Sequence, residues 1–267
     1  MKNTAKIKKY APLIIGNWKL NPQTQEKADA LYSESKKAFS QKQTISDVAV
    51  CAPFVFLYGL QKHTQKSRIA LGAQDCFYEE QGTYTGEVSV TMLKNFGVGY
   101  VIVGHSERRA LGETDEVVTK KALAVLQQGL TAVVCVGERV RDAQGDYFNH
   151  IESQLKSLLP HIKKVHLPKL VIAYEPIWAI STGDGKGGTA TPDIAYEMKL
   201  FIQKVISDTL GRTVVSKIRI LYGGSVNALN AESLFKVGNT DGFLIGGASL
   251  KPQEFGAIIK ISDIYGS

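Results

Sequence analysis

A single carboxylate, Glu175, follows directly after the apolar run 170–174 and precedes a glycine-rich stretch that ends at Thr191. An acidic residue at the end of a buried strand is typical of a carboxylate that acts as a base. A glycine-rich loop beside it is typical of a cover that closes over a bound substrate. The alternative interpretation is a structural glutamate in an ordinary ion pair, since such pairs also perturb carboxylates. This stretch alone leaves both interpretations open.

Other apolar runs are also followed, at or near their ends, by polar residues and glycines. They are Asn17, Lys19, His105, Gly223, Gly224, Ser225, Gly246 and Gly247. Each is a weak signal alone, because a lone histidine or lysine is more often structural and glycine pairs also make tight turns. Together, a carboxylate, an imidazole and an ammonium can move a proton on a carbon next to a carbonyl. The backbone N–H groups of glycine pairs suit a phosphate.

Eight short apolar runs alternate with helix-like segments along the chain. The runs are 12–16, 48–52, 69–73, 100–103, 132–136, 170–174, 218–222 and 242–245. This alternation is typical of parallel βα units, and no break in composition divides them. We therefore predict one α/β domain over residues 1–267, a (β/α)8 TIM barrel of parallel strands with outer helices, in which 1–10 form a basic extension.

A doubly wound open sheet is the alternative fold. It predicts a GxGxxG turn after the first strand, and the turn here reads Gly16-Asn17-Trp18-Lys19. In a closed barrel the carboxyl ends of all strands open at one face, where barrel enzymes place their chemistry and often a phosphate after strands seven and eight. The residues alone therefore predict a cofactor-free and metal-free proton transfer on a small phosphorylated sugar fragment.

Composition narrows the class of partner. The net charge of +7 and a pI near 9.1 would suit nucleic acid or a membrane surface, but the lysines are scattered along the chain. No apolar run approaches the roughly 18 residues of a membrane-spanning helix. The three cysteines show no CxxC spacing and fit a reducing compartment. We expect a cytoplasmic protein that binds neither nucleic acid nor membrane.

Six segments resemble the triosephosphate isomerase family, in the family's order and across almost the whole chain after the basic extension. They are 17–21 (NWKLN), 104–109 (GHSERR), 135–138 (CVGE), 173–179 (AYEPIWA), 222–226 (YGGSV) and 242–250 (GFLIGGASL). The resemblance implies a TIM barrel that interconverts dihydroxyacetone phosphate and D-glyceraldehyde 3-phosphate, without a cofactor, in glycolysis and gluconeogenesis.

The resemblance also implies roles for individual residues. Glu175 would be the base that shuttles a proton through an enediolate, and His105 would be the neutral electrophile. Lys19 and Asn17 would polarise and orient the substrate, and Glu107 would support them from nearby. Phosphate contacts are expected from Ser181, Ser225, Gly246 and Gly247. A mobile lid is expected to contain Pro176, Ile177, Trp178, Gly183, Gly185, Lys186, Gly187 and Gly188, and Tyr222 would steady it when closed.

The segment 74–86 resembles the loop by which family members contact a second subunit, so we expect a homodimer in which Gln74 and Thr85 take part. Three departures from the family pattern occur. The lid is longer, largely through added glycine, and Ser181 replaces a glycine. Asp75 and Val90 stand where asparagine and proline are common.

Two other functions stay open. The first is another phosphate-binding barrel enzyme, such as a lyase or a different aldose–ketose isomerase. A Schiff-base enzyme would need a lysine inside the barrel, and the only basic strand residue we expect there is Arg219. The second is a silent relative kept as a binding or adhesion protein, which typically loses the base or the electrophile. Both Glu175 and His105 are present.

Overall fold

Eight parallel strands form a closed barrel in the computed structural model, which describes residues 10–39, 42–65, 67–179 and 190–266. The strands β1 to β8 are Leu13–Asn17, Asp47–Ala52, Ile69–Ala73, Val98–Val103, Thr131–Val136, Leu170–Tyr174, Arg219–Tyr222 and Gly242–Ile245. Each strand pairs with the next, and β8 pairs with β1, with Leu13 opposite Gly242. The predicted fold class is confirmed.

Helices connect the strands on the outside of the barrel. Within the described residues, α1 to α9 are Gln25–Lys37, Phe54–Thr64, Val90–Asn95, Ser106–Ala110, Asp115–Gln127, Asp146–Leu158, Pro192–Leu210, Ala231–Lys236 and Pro252–Tyr265. Short 3-10 turns cover Leu159–His161, Lys164–Lys169, Ile177–Ala179, Arg212–Lys217 and Gly247–Leu250. None of the helices seen in these residues has both the length and the apolar character that crossing a membrane requires.

The ends of two helices form as their sequences predict. Thr114 and Thr191 cap α5 and α7, each accepting a hydrogen bond from the backbone N–H of the third residue onward. Pro192 occupies the first turn of α7, where its missing N–H costs nothing. Gly211 ends α7 at a φ of 94°, which favours glycine. These residue types therefore account for where α5 and α7 begin and where α7 ends.

Alternation of side chains along the strands separates two apolar layers. One layer fills the barrel and consists of Leu13, Ile15, Ala49, Cys51, Ile102, Val133, Cys135, Val171, Ala173, Leu221 and Leu244. The other lies between the strands and the helices and contains the alternate strand residues, such as Ile14, Val134 and Ile172. Because successive residues point to opposite faces, every second position of a strand continues the inner layer.

This alternation decides which residues reach the mouth of the barrel. Ile15, Ala173, Leu221 and Leu244 are the last residues of the inner layer in their strands. The residue two positions later in each strand points to the same side, just above that layer. These residues are Asn17, Glu175, Gly223 and Gly246. The strands therefore carry these four positions to the inward side of the C-terminal mouth.

Arg219 occupies the opposite end of the barrel. It is the first residue of β7, its Nη1 lies 2.7 Å from Asp47 Oδ2, and its guanidinium lies over the ring of Tyr10. The eight described strands contain no lysine. The barrel therefore provides no amine within its strands for a Schiff base.

Eight of the residues or segments with predicted roles cannot be placed in this fold. They are Ser181, Gly183, Gly185, Lys186, Gly187 and Gly188, together with Ile180 and the basic segment 1–9, and all lie outside the described residues. The described part of the lid is its beginning, 176–179, and Ala190 at its end.

Candidate active site

A pocket of about 340 Å³ opens at the C-terminal mouth of the barrel. Its lining includes most of the polar residues and glycines that follow the strands, namely Asn17, Lys19, His105, Glu175, Gly223, Gly224, Ser225, Gly246 and Gly247. The structure thus brings residues from β1, β4, β6, β7 and β8 onto one surface. The candidate acid, imidazole and ammonium share a single cavity.

Glu175 is buried at the bottom of this pocket, with 2% of its surface exposed. Its Oε2 accepts a hydrogen bond of 3.0 Å from the Ser106 N–H, and its Oε1 lies 3.1 Å from His105 Nε2. Burial by itself would raise the pKa of Glu175. The imidazole of His105, the Ser106 N–H and the ammonium of Lys19 outweigh burial and hold the pKa below its ordinary range. Glu175 is therefore ionised in this arrangement.

His105 caps helix α4, and its cap contact sets the position of its proton. The Nδ1 atom accepts a hydrogen bond from the Glu107 N–H at 3.3 Å, so Nδ1 carries no proton and a neutral ring is protonated at Nε2. Burial lowers the pKa of His105, whereas the carboxylates of Glu175 and Glu107 raise it and prevail while the Glu175 contact lasts. The Glu107 N–H disfavours a second proton on the ring, because that proton would lie on Nδ1 and the two N–H groups would then face each other.

Lys19 is held in an unusual backbone conformation. Its φ of 53° lies in the left-handed region, which costs a residue with a side chain about 1–2 kcal/mol. Two side chains stabilise it there, because Asn17 Oδ1 accepts from the Lys19 N–H at 3.0 Å and Gln74 Nε2 donates to the Lys19 carbonyl at 2.8 Å. The Lys19 Nζ lies 2.7 Å from Oε1 of Glu107. These contacts aim the ammonium into the pocket.

Close packing leaves little room for a side chain at Gly223 and Gly224 in the mouth of the barrel. A Cβ at Gly223 would lie 3.0 Å from Cγ of Glu175, and one at Gly224 would lie 2.3 Å from the hydroxyl of Tyr222. A Cβ on Gly246 would lie 3.3 Å from Cε of Lys19. Gly247 has open space around it and begins a 3-10 turn. Backbone groups can therefore approach a small ligand without side chains in the way.

Glu138, to which the sequence patterns assigned no role, fixes the beginning of the predicted lid to the barrel. Its Oε1 accepts hydrogen bonds from the Tyr174 hydroxyl and the Trp178 indole N–H, each at 2.8 Å. Its carbonyl accepts from the Ile177 N–H at 3.0 Å, and Pro176 O accepts from Ala179 at 2.8 Å. Glu138 lies two residues after the end of β5. A search for carboxylates close behind apolar runs, which selected Glu175, could therefore also have selected Glu138.

Two other contacts lie next to the lid. Ser225, a predicted phosphate contact, donates from its hydroxyl to the carbonyl of Ala179 at 3.1 Å. The buried hydroxyl of Tyr222 has no hydrogen-bond partner among the described residues. Both observations concern the side of the pocket where the lid begins and leave the predicted roles of Ser225 and Tyr222 as predictions.

Sequence spacing also missed part of the pocket's lining. The backbone N–H of Ser106 donates to Glu175, and Ser106 follows His105 directly. Its place next to a candidate site residue was the only feature of the sequence that could have indicated this role. Asn227, Lys251 and Glu254 line the outer rim from loops and from α9. Their distance from any strand end gave no signal.

The predicted subunit-contact loop has a fixed base and an exposed tip. At the base, Gln74 donates to the carbonyls of Lys19 and Cys51 of its own chain. Residues 79–87, which include Thr85, are all exposed. Gln74 therefore has a definite contact within its chain, and the contact of Thr85 with a second subunit stays a prediction.

The fold and the pocket define the chain as a (β/α)8-barrel enzyme with its site at the carboxyl ends of the strands. A sequence model of the triosephosphate isomerase family matches residues 12–262. Relatives named triosephosphate isomerase include those of Endomicrobium trichonymphae, 42% identical over 94% of the chain and 98% of the relative, and of Aquifex aeolicus, 42% over 92% and 98%. That of Clostridium botulinum is 43% identical over 93% and 98%.

The chain therefore belongs to the triosephosphate isomerase family, as the six sequence segments predicted. It is an intramolecular aldose–ketose isomerase of glycolysis.

Proposed function

We propose that the chain interconverts dihydroxyacetone phosphate and D-glyceraldehyde 3-phosphate through an enediolate, in glycolysis and gluconeogenesis, with Glu175 as the base. The observation that carries the proposal is the 3.1 Å contact between the buried Glu175 carboxylate and His105 Nε2 in the pocket that also holds Lys19. A base, a hydrogen-bond donor and a cation within one small cavity are the parts that proton transfer next to a carbonyl needs.

Substrate entry would change the contacts of both reacting side chains. Each oxygen of Glu175 has a donor in the free protein, so the carboxylate must leave at least one of them to reach a substrate carbon. Once the donors are lost, burial dominates and raises the pKa of Glu175, which makes it a stronger base. The released Nε2–H of His105 can then donate to a substrate oxygen. The neutral ring is the reactive form, because the Glu107 N–H on Nδ1 remains in place.

The proton transfers then balance as follows. Glu175 takes a proton from carbon 1 of dihydroxyacetone phosphate, and the electron pair moves into an enediolate whose charge lies on the former carbonyl oxygen. Protonated Glu175 returns a proton to carbon 2. The proton on the oxygen of carbon 1 passes by way of His105 Nε2 to the oxygen of carbon 2, so that carbon 1 becomes the aldehyde and the oxygen on carbon 2 becomes a hydroxyl. The ammonium of Lys19, held 2.7 Å from Glu107, stabilises the enediolate charge.

We assign the phosphate to the glycine-rich side of the pocket. Gly246, Gly247 and Ser225 line that side and present backbone with little side chain in the way. The same surface adjoins Lys19, whose charge favours a dianion. Ser181 would add a contact from the lid.

A solvent-exchange assay tests this chemistry. In D2O, we expect the aldehyde product formed from dihydroxyacetone phosphate to carry deuterium at carbon 2, because a carboxylic acid on Glu175 exchanges its proton with solvent. Product position and label are read by NMR in a coupled assay. A product that keeps all of its original hydrogen would indicate hydride transfer and contradict the base mechanism. Absence of turnover in either direction would contradict the substrate assignment.

We also propose that two copies of the chain associate through the loop 74–86. Tyr84, in the exposed tip of the loop, is one of the large apolar side chains that the described residues leave exposed to solvent. The ring of Tyr84 packs on Phe77 at 4.6 Å, which orders the tip although solvent surrounds it. Apolar area of this kind is stabilised when a partner covers it.

Sedimentation of the native chain should then give twice the chain mass of 29.1 kDa. Thr85→Arg should shift the mass towards a single chain, because a charge would be buried without a partner in the contact. Asn149→Arg, an exposed position on α6, is the matched control and should leave the mass unchanged. A native chain that sediments as a monomer at assay concentrations would contradict the proposal.

A further inference from the structure

The turn between β5 and α6 sets the backbone position of Glu175. The Val136 carbonyl accepts from the Glu175 N–H at 2.8 Å, and the Glu138 carbonyl accepts from the Ile177 N–H at 3.0 Å. Between them, Gly137 lies so close that a Cβ would be 1.8 Å from the carbonyl oxygen of Glu175. A shift of this turn would therefore move the proposed base with it.

The outer side of the turn borders a cavity. This cavity, of about 370 Å³, is lined by Gly137 and Ile177 on one side and by His150 and Gln154 of α6 on another. Packing across a cavity cannot hold the turn in place. A hydrogen bond across it can.

Gln154 makes that hydrogen bond. Its side chain is buried, and its Oε1 accepts from the Gly137 N–H at 2.9 Å. Because a backbone N–H can only donate, the amide oxygen must face Gly137 and the amide NH2 must face the other way. It faces the ring of His150, one helical turn earlier, whose Nε2 lies 3.2 Å from Gln154 Nε2. His150 thus fixes the orientation of the amide from the solvent side.

We propose that Gln154 is a positioning residue for the isomerase reaction, which holds Glu175 in reach of the substrate through the N–H of Gly137, and that His150 supports it. Gln154 is not among the residues that line the substrate pocket. Its loss leaves the Gly137 N–H without a partner beside an open cavity and removes the contact that fixes the outer side of the turn, so the turn can shift together with Glu175. The proposal rests on the role of Glu175 as the base.

The effect falls on the reaction step and not on substrate binding. The phosphate side is formed by Ser225, which follows β7, and by Gly246 and Gly247, which follow β8, whereas Gly137 follows β5 on another part of the barrel. A misplacement of about 1 Å at a reacting group can lower the rate about a hundredfold. Gln154→Leu should therefore lower kcat by about 10-fold to 100-fold while KM changes little.

Steady-state kinetics of the full-length protein tests the proposal with one rescue and one control. Gln154→Glu keeps an oxygen that can accept from Gly137 and should retain most of kcat. His150→Ala frees the amide without removing its oxygen and should lower kcat less than Gln154→Leu. Ser153→Leu introduces the same side chain at the neighbouring, exposed position of α6 and should leave both constants unchanged. If Gln154→Leu does not fold, Gln154→Ser, which is too short to reach Gly137, replaces it.

Two results would overturn the proposal. One is a Gln154→Leu or Gln154→Ser enzyme with native kcat, and the other is a loss of kcat that Gln154→Glu shares in full. Glu175→Gln is measured beside these variants to separate the two proposals. If Glu175→Gln is inactive and Gln154→Leu is not impaired, only the positioning role fails. If Glu175→Gln remains active, the proposed base itself is wrong.

Discussion

Glu175→Gln should lower kcat by a factor of about 100 to 10,000, because general base catalysis contributes about that much and glutamine cannot accept the proton. The amide has nearly the shape of the carboxylate, and its oxygen can still accept from one of the two donors, Ser106 or His105. The pocket and its phosphate side should therefore stay intact, and KM should change far less than kcat. Coupled assays in both directions measure the two constants.

Glu175→Asp separates the charge from its position. The carboxylate remains but withdraws by one methylene, so we expect kcat to fall about a hundredfold with substrate affinity nearly unchanged. Glu26→Gln, an exposed carboxylate on α1, is the matched control and should behave as the native enzyme. A Glu175→Gln enzyme that keeps more than about a tenth of the native kcat would show that another group takes the proton.

Lys121→Met should destabilise the fold by about 3–5 kcal/mol at neutral pH, since removing one partner of a buried ion pair leaves the other charge uncompensated. The Lys121 side chain is buried, and its Nζ lies 2.7 Å from Asp75 Oδ1 and 2.5 Å from Glu113 Oε1. Arg108 contacts the same two carboxylates at 3.1 and 3.0 Å. The four side chains join the base of the loop 74–86 to α4 and α5.

The destabilisation should depend on pH with a definite sign. Burial raises the pKa values of both Asp75 and Glu113, and the ammonium of Lys121 lowers both. For Asp75 burial prevails, so its pKa lies above the ordinary range. For Glu113 the cations prevail, so its pKa lies below the ordinary range. Glu113 therefore stabilises the fold above its unfolded pKa of about 4.3, and this is lost as the pH falls through its lower folded value. Asp75 contributes the opposite slope. Without Lys121 the pKa values of both carboxyl groups in the folded protein rise. Protonation at low pH then removes their buried negative charges, so the variant is less destabilised at low pH than at neutral pH.

Urea unfolding at a fixed protein concentration, at pH 4 and pH 7, measures this difference. We expect the loss of free energy of unfolding in Lys121→Met to be clearly larger at pH 7 than at pH 4. Lys204→Met removes an exposed ion pair with Asp208 and should leave the free energy of unfolding nearly unchanged at both values. Equal losses at the two pH values in Lys121→Met would contradict a charge-based cause.

Much of the barrel and its mouth could be predicted because the relevant patterns are local. Short apolar runs placed each strand within two residues at either end. The first run was predicted at 12–16 and is observed one residue later, since Asn17 still pairs with Cys51 of β2. Parallel strands then place Glu175, His105 and Lys19 at one face without further information.

Contacts between distant parts of the chain could not be predicted in this way. Gln154 lies seventeen positions from Gly137. Its place on the buried stripe with Ile151 and Leu155 indicates that it is buried, but it does not identify Gly137 as its partner. Asp75 was noted only as a departure from the family, yet it accepts two hydrogen bonds from Lys121, forty-six positions away. Such partners depend on how helices pack around the barrel, which sequence periodicity does not encode.

The strict alternation of the two apolar layers limits how such a chain can change in length. Inserting one residue within β6 would turn Glu175 away from the cavity and send its neighbour inward, together with every later residue of that strand. Added residues in the segment between Ala179 and Thr191 carry no such penalty for the described strands, because β6 ends before them at Tyr174 and β7 begins after α7 at Arg219. Natural variation and laboratory insertion libraries should therefore tolerate length change in the connecting segments and reject it in the eight strands.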